Sequence, residues 1–217
     1  VLAAVPFVHP GMDQSGDDLS ALKAKVRAGS EPWKTAFDTV KASIDLDQQL
    51  QPVTHISQGG YGANDRGGKH LSGTSQTAYD CALVWYISGD PAYAEKAVEI
   101  INAWSQVVWD FDDNNAKLIA AGSVADLCKA AEILRHTEAN WSPADIEVFE
   151  ESLMTVFYPL LRYYFPEANG NWDAYIIRAI MTMGIFLDNR DMLDNAVHHF
   201  LYGPVNGSIF KYIYPSG

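Results

Sequence analysis

Two pairs of adjacent segments constrain this chain more than any other feature of it. In the first pair, TSQTAYDCALVWYISGD (74–90) has hardly any polar face, and PAYAEKAVEIINAWSQVV (91–108), which follows at once, is amphipathic. Tyr93, Ala97, Ile100, Ile101 and Trp104 recur there at helical spacing, with Glu95, Lys96 and Glu99 opposite. In the second pair, AYIIRAIMTMGIFLDN (174–189) is almost wholly apolar and RDMLDNAVHHFLYG (190–203) is amphipathic again. A helix that is apolar all round must be covered all round, whereas its partner needs cover on one side only. The repeat predicts an all-α protein in two layers, with inner helices touching neighbours everywhere and outer helices touching only inward. An (α/α) toroid, complete or incomplete, meets that demand; an irregular helical bundle is the alternative.

The rest of the chain adds helices in the same style. SGDDLSALKAKVRAG offers Ser15 or Asp17 as cap and Gly29 as stop, and SEPWKTAFDTVKAS offers Ser30 as cap with Pro32 in the first turn. Between the two pairs lie AAGSVADLCKAAEILRHT and SPADIEVFEESLMTVFYPLLRYYF, the latter with Ser142 as cap and Pro143 behind it. Strand-like alternation is confined to short pieces, QPVTHIS and SIFKYIY. No Pro/Ser/Gly-rich linker interrupts the sequence, so residues 1–217 read as one domain. The apolar end, NGSIFKYIYPSG, has no evident partner, and a closed ring is expected to need further helices beyond Gly217 or a second polypeptide.

A formal charge of −12 makes nucleic acid and anionic membrane surfaces poor partners, and the longest apolar run, Ala179–Leu187, is about half of the ~20 residues that a spanning helix needs. A polyanionic substrate would have to meet a local basic patch. The start at Val1 and the sequons Asn140-Trp-Ser and Asn206-Gly-Ser fit a secreted glycoprotein. Cys81 and Cys128 are either one disulfide or two buried thiols. No zinc pattern is present, and Asp110, Asp112 and Asp113 lack EF-hand spacing. Of the histidines, His9 and His55 carry no constellation, and of the pair His198-His199 one is expected to face solvent and one to pack. Trp85, Tyr86, Trp104 and Trp109 read as core.

Two stretches could carry chemistry. GGYGANDRGGKH (59–70) holds five glycines together with Tyr61, Arg66, Lys69 and His70, so a pliable loop bears one aromatic ring and a cluster of cations. In PEANGNWDAYIIRA (166–179), Asn171 falls at a helix N-terminus, where free N–H groups attract anions, and Trp172 follows it. Each has a plain structural reading, a surface loop and an N-cap after an Asn-Gly turn. Facing each other across a helical ring, they would suit a sugar chain, whose rings stack on aromatics and whose carboxylates take amides and guanidinium groups. On a uronate, β-elimination needs a group to neutralise the carboxylate and a Tyr or His to move protons.

Three stretches, HPGMDQSGDDLSALKAKVRAGSEPWKTAFD, TSQTAYDCALVWYISGDPAYAEKAVEIINAWS and NGNWDAYIIRAIMTMGIFLDNRDMLDNAVHHF, resemble the alginate lyase-like α-toroid polysaccharide lyases. The resemblance implies a secreted (α/α) toroid that cleaves alginate or glucuronan by metal-independent elimination, with no cofactor and an anionic polysaccharide as partner. It also implies that Asn171, in the GNWD turn, neutralises the substrate carboxylate, with His, Arg and Tyr completing the site. That second group is expected shortly after a YIYPSG-like stretch; without it, Tyr61, Arg66 and His70 are the local substitutes. Two other readings stay open: a toroid glycoside hydrolase using Asp173 and Asp65, and a non-catalytic carbohydrate-binding or defence-type protein.

Overall fold

In the computed structural model, which describes residues 6–168, 170–204 and 207–213, helix starts follow the local chemistry of the chain. Helix α1 (Gly16–Arg27) opens on a capping box: Ser15 Oγ accepts the Asp18 N–H at 3.2 Å and the Asp18 carboxylate accepts the Ser15 N–H at 3.0 Å. Such a cap is worth about 1 kcal/mol. Gly29, at φ 69°, stops the helix as expected. Helix α2 (Trp33–Ser43) starts differently from expectation: Pro32, not Ser30, occupies the N-cap position, and the Glu31 carboxylate accepts the Thr35 N–H at 3.2 Å.

Helices α3 (Gly68–Ser88) and α4 (Pro91–Ser105) form the first hairpin, joined at Gly89 (φ 77°) and Asp90, whose carboxylate accepts the Ala92 N–H. Helix α5 (Ala116–Arg135) follows, then α6 (Pro143–Ser152), capped by Ser142 as predicted. A π-helical turn over Leu153–Phe157 carries α6 into α7 (Tyr158–Leu161). Pro159 is the cause we assign: it offers no N–H to the Thr155 carbonyl and its ring would strike it, and a wider turn relieves both. Helices α8 (Gly170–Phe186) and α9 (Arg190–Tyr202) make the last hairpin, with Asn189 as the cap of α9.

The two layers are as the apolar pattern required. Helix α5 packs against α3 on one side and α8 on the other, while α4 backs α3 and α9 backs α8. The inner faces meet through Leu71, Ala78 and Ala82, through Val124, Leu127 and Ala131, and through Ile176, Ile180 and Met183, all buried. Alanines at these positions let neighbouring backbones approach, and each fully buried Leu or Ile contributes about 1.5–3 kcal/mol. Trp104 sits inside with its indole N–H donating to Thr74 Oγ1 at 2.8 Å. The result is one arc of an (α/α) toroid.

Several local expectations change. Lys96 is buried rather than on the outer face, its ammonium donating to the Gln48 carbonyl at 2.7 Å and to Glu99 at 2.9 Å. Trp109 is 75% exposed, not core. QPVTHIS does yield a strand, β1 (His55–Ser57), paired in parallel with β2 (Asp110–Asp112), but the described part of SIFKYIY, 208–213, holds a 3-10 turn at Ile209–Lys211. With no strand beside it among the described residues, the turn satisfies its backbone locally. Cys81 and Cys128 are free and buried. Among the described residues no helix is long and apolar enough to cross a membrane. The sequon residue Asn206 lies outside the described residues; Asn140 is exposed.

Candidate functional site

The inner helices run in the same direction, so their N-termini gather at one end of the arc. There they border a cavity of about 330 Å³, lined by Ser72 of α3, by Leu118, Ile119, Gly122, Ser123 and Asp126 of α5, and by Asn171 and Tyr175 of α8. Asn171, the second residue of α8, is exposed and projects between this cavity and a more apolar one of about 290 Å³. Phe200 and Tyr212 line the second cavity with it. The side chain is therefore not sealed inside the protein, and it stands where free helix N–H groups and the helix dipole favour an anion.

Three polar side chains of α8 that are not buried recur at helical spacing: Asn171, Tyr175 and Arg178. Tyr175, 43% exposed, lies against the place where Gly122 has no side chain; a Cβ there would meet its ring at 3.5 Å. Arg178 reaches back to Asp126 at 2.7 Å, and Lys129 stands 3.6 Å from the same carboxylate. Two cations thus offset the acid that lines the cavity. Tyr212 is brought against the start of α8, so close that a Cβ on Gly170 would collide with its phenol oxygen. Sequence reasoning missed Tyr175, Arg178 and Tyr212. The spacing from Asn171 was a usable signal for the first two; nothing in the sequence places Tyr212 beside Gly170.

The glycine-rich stretch is divided by the fold. Helix α3 begins at Gly68, so Lys69 and His70 belong to its first turn rather than to the loop. His70 Nε2 accepts the Gln51 N–H at 3.0 Å and its ring packs against Trp104, which gives it a structural employment. The remaining loop is closed at its base by paired backbone bonds between Ser57 and Arg66, at 3.2 and 2.8 Å. Asn115, just before α5, holds it to the end of the arc, donating to Gln58 Oε1 at 3.2 Å and to the Gly59 carbonyl at 2.9 Å. Tyr61 sits at the tip, fully exposed and at φ 57°, with Asn64 at φ 49°. Left-handed backbone at two non-glycine residues is unfavourable unless the surroundings hold it. Arg66 and Lys69 are exposed. The loop thus shares an end of the arc with Asn171, but neither cavity that Asn171 lines is lined by Tyr61, Arg66, Lys69 or His70. Trp172 is half-buried, edge-on to Phe165 at 5.6 Å.

The two carboxylates that the hydrolase reading named are both engaged. Asp173 is fully buried, accepting the Phe165 N–H at 2.7 Å and pairing with His199 Nε2 at 2.8 Å. His199 stacks on Tyr164 at 3.6 Å, while His198 faces solvent, the division expected for that pair. Burial pushes the Tyr164 phenol well above its ordinary range, and its O–H donates to Asn195 at 2.7 Å. Asp65 accepts from Gln58 at 2.5 Å and from the Lys69 N–H at 3.1 Å, acting as a cap for α3.

Residues 13–211 match the family model described as alginate lyase. The chain belongs to the alginate lyase family. Among solved structures, alginate lyase A1-III in complex with a tetrasaccharide matches with a TM-score of 0.63 at 14% identity, over 84% of this chain and 56% of that one. Alginate lyase A1-III from Sphingomonas species A1 matches at 0.61 and 13%, over 84% and 57%. An alginate lyase from Bacteroides ovatus matches at 0.62 and 14%, over 89% and 65%. At these identities the likeness shows the shared toroid fold, and this chain spans somewhat over half the length of those proteins. No curated protein sequence matches it. Membership in the alginate lyase family gives the polar end of the arc a class of chemistry to be weighed against its geometry.

Proposed function

We propose that the protein is a secreted polysaccharide lyase that cleaves an anionic polyuronate of the alginate or glucuronan type by metal-independent β-elimination. The observation that carries this is the exposed Asn171 at the N-terminus of α8, on a groove that three helix N-termini border, in a chain of the alginate lyase family. In the reaction, a base takes the C5 proton beside the uronate carboxylate, the C4–O bond breaks, and a C4=C5 double bond forms as the leaving oxygen gains a proton. Charge building on the carboxylate is met by the Asn171 amide and the free N–H groups of α8, in the manner of an oxyanion hole. Tyr175 and Tyr212, which share the cavities with Asn171, are the phenols available for proton transfer and sugar stacking. Tyr61 and Arg66 close over the chain from the loop, and Trp172 supports the entrance from beneath. The exposed Asn140 supports the secreted reading, and a mass loss on N-glycosidase treatment of the natural protein would check it.

The test is near-ultraviolet absorbance of the unsaturated product, followed on alginate and glucuronan. Asn171→Ala is expected to lower kcat about 100-fold or more, the usual cost of removing one oxyanion donor. Asn171→Asp should be at least as damaging, because it sets like charge against the substrate. Full activity in Asn171→Ala, or affinity for polyuronates with no new double bond, overturns the proposal.

A further inference from the structure

At the other end of the inner helices, roughly 15 Å along α5 from the middle of the groove, a second group of side chains converges. His9, from the segment that precedes α1, directs Nδ1 at Glu132 Oε1 at 2.6 Å and Nε2 at Asp188 Oδ1 at 3.0 Å. Glu132, near the end of α5, is 1% exposed and also accepts the Gly11 N–H on Oε1 at 3.0 Å. Its other oxygen, Oε2, is buried and has no hydrogen-bond partner among the described residues. His136 follows one turn later, with Nε2 3.8 Å from that oxygen. Arg135, the adjacent cation, is turned away onto Glu150 at 2.7 Å and the Phe186 carbonyl at 3.2 Å. Lys129 is occupied by Asp13 and Asp126.

We propose that His9, Glu132 and His136 form a binding site for a divalent transition-metal ion of the zinc type, which clips the N-terminal segment to the C-terminal end of α5. One ligand atom from each residue lies within 4.8 Å of the others. A tetrahedral ion with bonds of about 2.0–2.2 Å holds its ligands roughly 3.3 Å apart, so the set has to tighten modestly. Two imidazoles and a carboxylate are a donor set that zinc accepts, with water in the fourth position. Asp188 supplies the outer partner: with Nδ1 of His9 on the ion, Nε2–H donates to that carboxylate and fixes the ring. Binding displaces the Nδ1 proton of His9 to solvent. The rings of His9 and His136 now lie stacked at 4.3 Å and 11°. Because an ion must sit in the plane of each ring it binds, His136 has to turn. Its side chain is 28% exposed and its ring makes no hydrogen bond with the described residues, so the turn is open to it. A buried carboxylate oxygen without a donor is costly as it stands, and a cation answers that need directly. His9 precedes residues 13–211, the span of the family match, so that match does not bring this site with it.

The experiment titrates the chelator-stripped full chain with zinc by calorimetry, and with cobalt by visible absorbance. Wild type is expected to bind one equivalent, with ligand-field bands in the cobalt form. His136→Ala, a change at an accessible side chain, is expected to weaken binding at least 100-fold, and Asp188→Asn about 10- to 100-fold. His55→Ala, which alters the separate group of His55 with Asp110 and Asp112, should leave binding unchanged. Absence of stoichiometric binding by wild type, or binding undiminished in both His9→Ala and His136→Ala, overturns the site. Since the readout is metal binding, its failure would leave the elimination reading untouched.

Discussion

Replacing Asp173 by alanine tests how the start of α8 is held. Asp173 is fully buried two residues after Asn171, and it serves two donors at once, the Phe165 N–H and the His199 ring. Alanine removes the carboxylate and leaves the buried His199 ring and the half-buried Phe165 N–H without their acceptor beside a small void. Each unsatisfied group costs about 1–3 kcal/mol, and breaking a buried pair of this kind costs about 3–5 kcal/mol in all. With a urea m-value of about 2 kcal/mol/M, the midpoint should fall by roughly 2 M. For a domain whose total stability is about 5–15 kcal/mol, that is a large fraction. Asp173→Asn keeps one acceptor and should lose roughly half as much. Urea unfolding followed by circular dichroism gives both values, and product absorbance below the transition reports turnover. Because the same carboxylate fixes the first turn of α8, turnover should fall even where the variant is fully folded. A midpoint within about 0.5 M of wild type for Asp173→Ala would refute the claim that this pair anchors the helix start.

Gly184→Ala sets helix propensity against packing: alanine gains about 1 kcal/mol in a helix interior, but its Cβ would lie 2.9 Å from the Leu193 backbone nitrogen and 3.3 Å from the Asn189 carbonyl. Overpacking against backbone costs about 1–3 kcal/mol, so a net loss of about 1 kcal/mol is expected in thermal or urea unfolding, and a stabilised variant would refute the close approach. Burial pushes the Cys81 thiol from 9.0 up to about 12, with Asp80 adding to it, and burial raises Cys128 well above 9.0. At pH 8 the Cys81 thiolate is on the order of 10⁻⁴ of the total, so Ellman's reagent should find no fast thiol in the native protein and two in denaturant. The same shift has a sign in stability: the unfolded thiol releases its proton first, so stability is intact below pH 9 and declines as pH rises from 9 towards 12. A native thiol reacting at the rate of a free one, or stability flat across that range, would contradict the burial.

The two-layered architecture was legible because helical burial is written as composition. Segments apolar on every face, such as 174–189, have one stable environment, between neighbours, and amphipathic partners such as 190–203 have another. Caps at Ser15 and Ser142 were readable for the same local reason: a side-chain oxygen meets an N–H three residues away. Asn171 at a helix start was legible too, as were Tyr175 and Arg178 had the helical spacing from it been followed. What the sequence could not decide was which distant groups meet. Asp173 beside Asn171 reads as a free carboxylate until His199 closes on it from another helix, and His70 reads as loop chemistry until Gln51 and Trp104 occupy it. His9, 123 residues before its partner Glu132, carries no pattern at all in one dimension. Local periodicity and caps depend on neighbours along the chain and so survive in the sequence. Whether a polar side chain is free for chemistry depends on partners supplied by other elements, and only the packed arc brings those together.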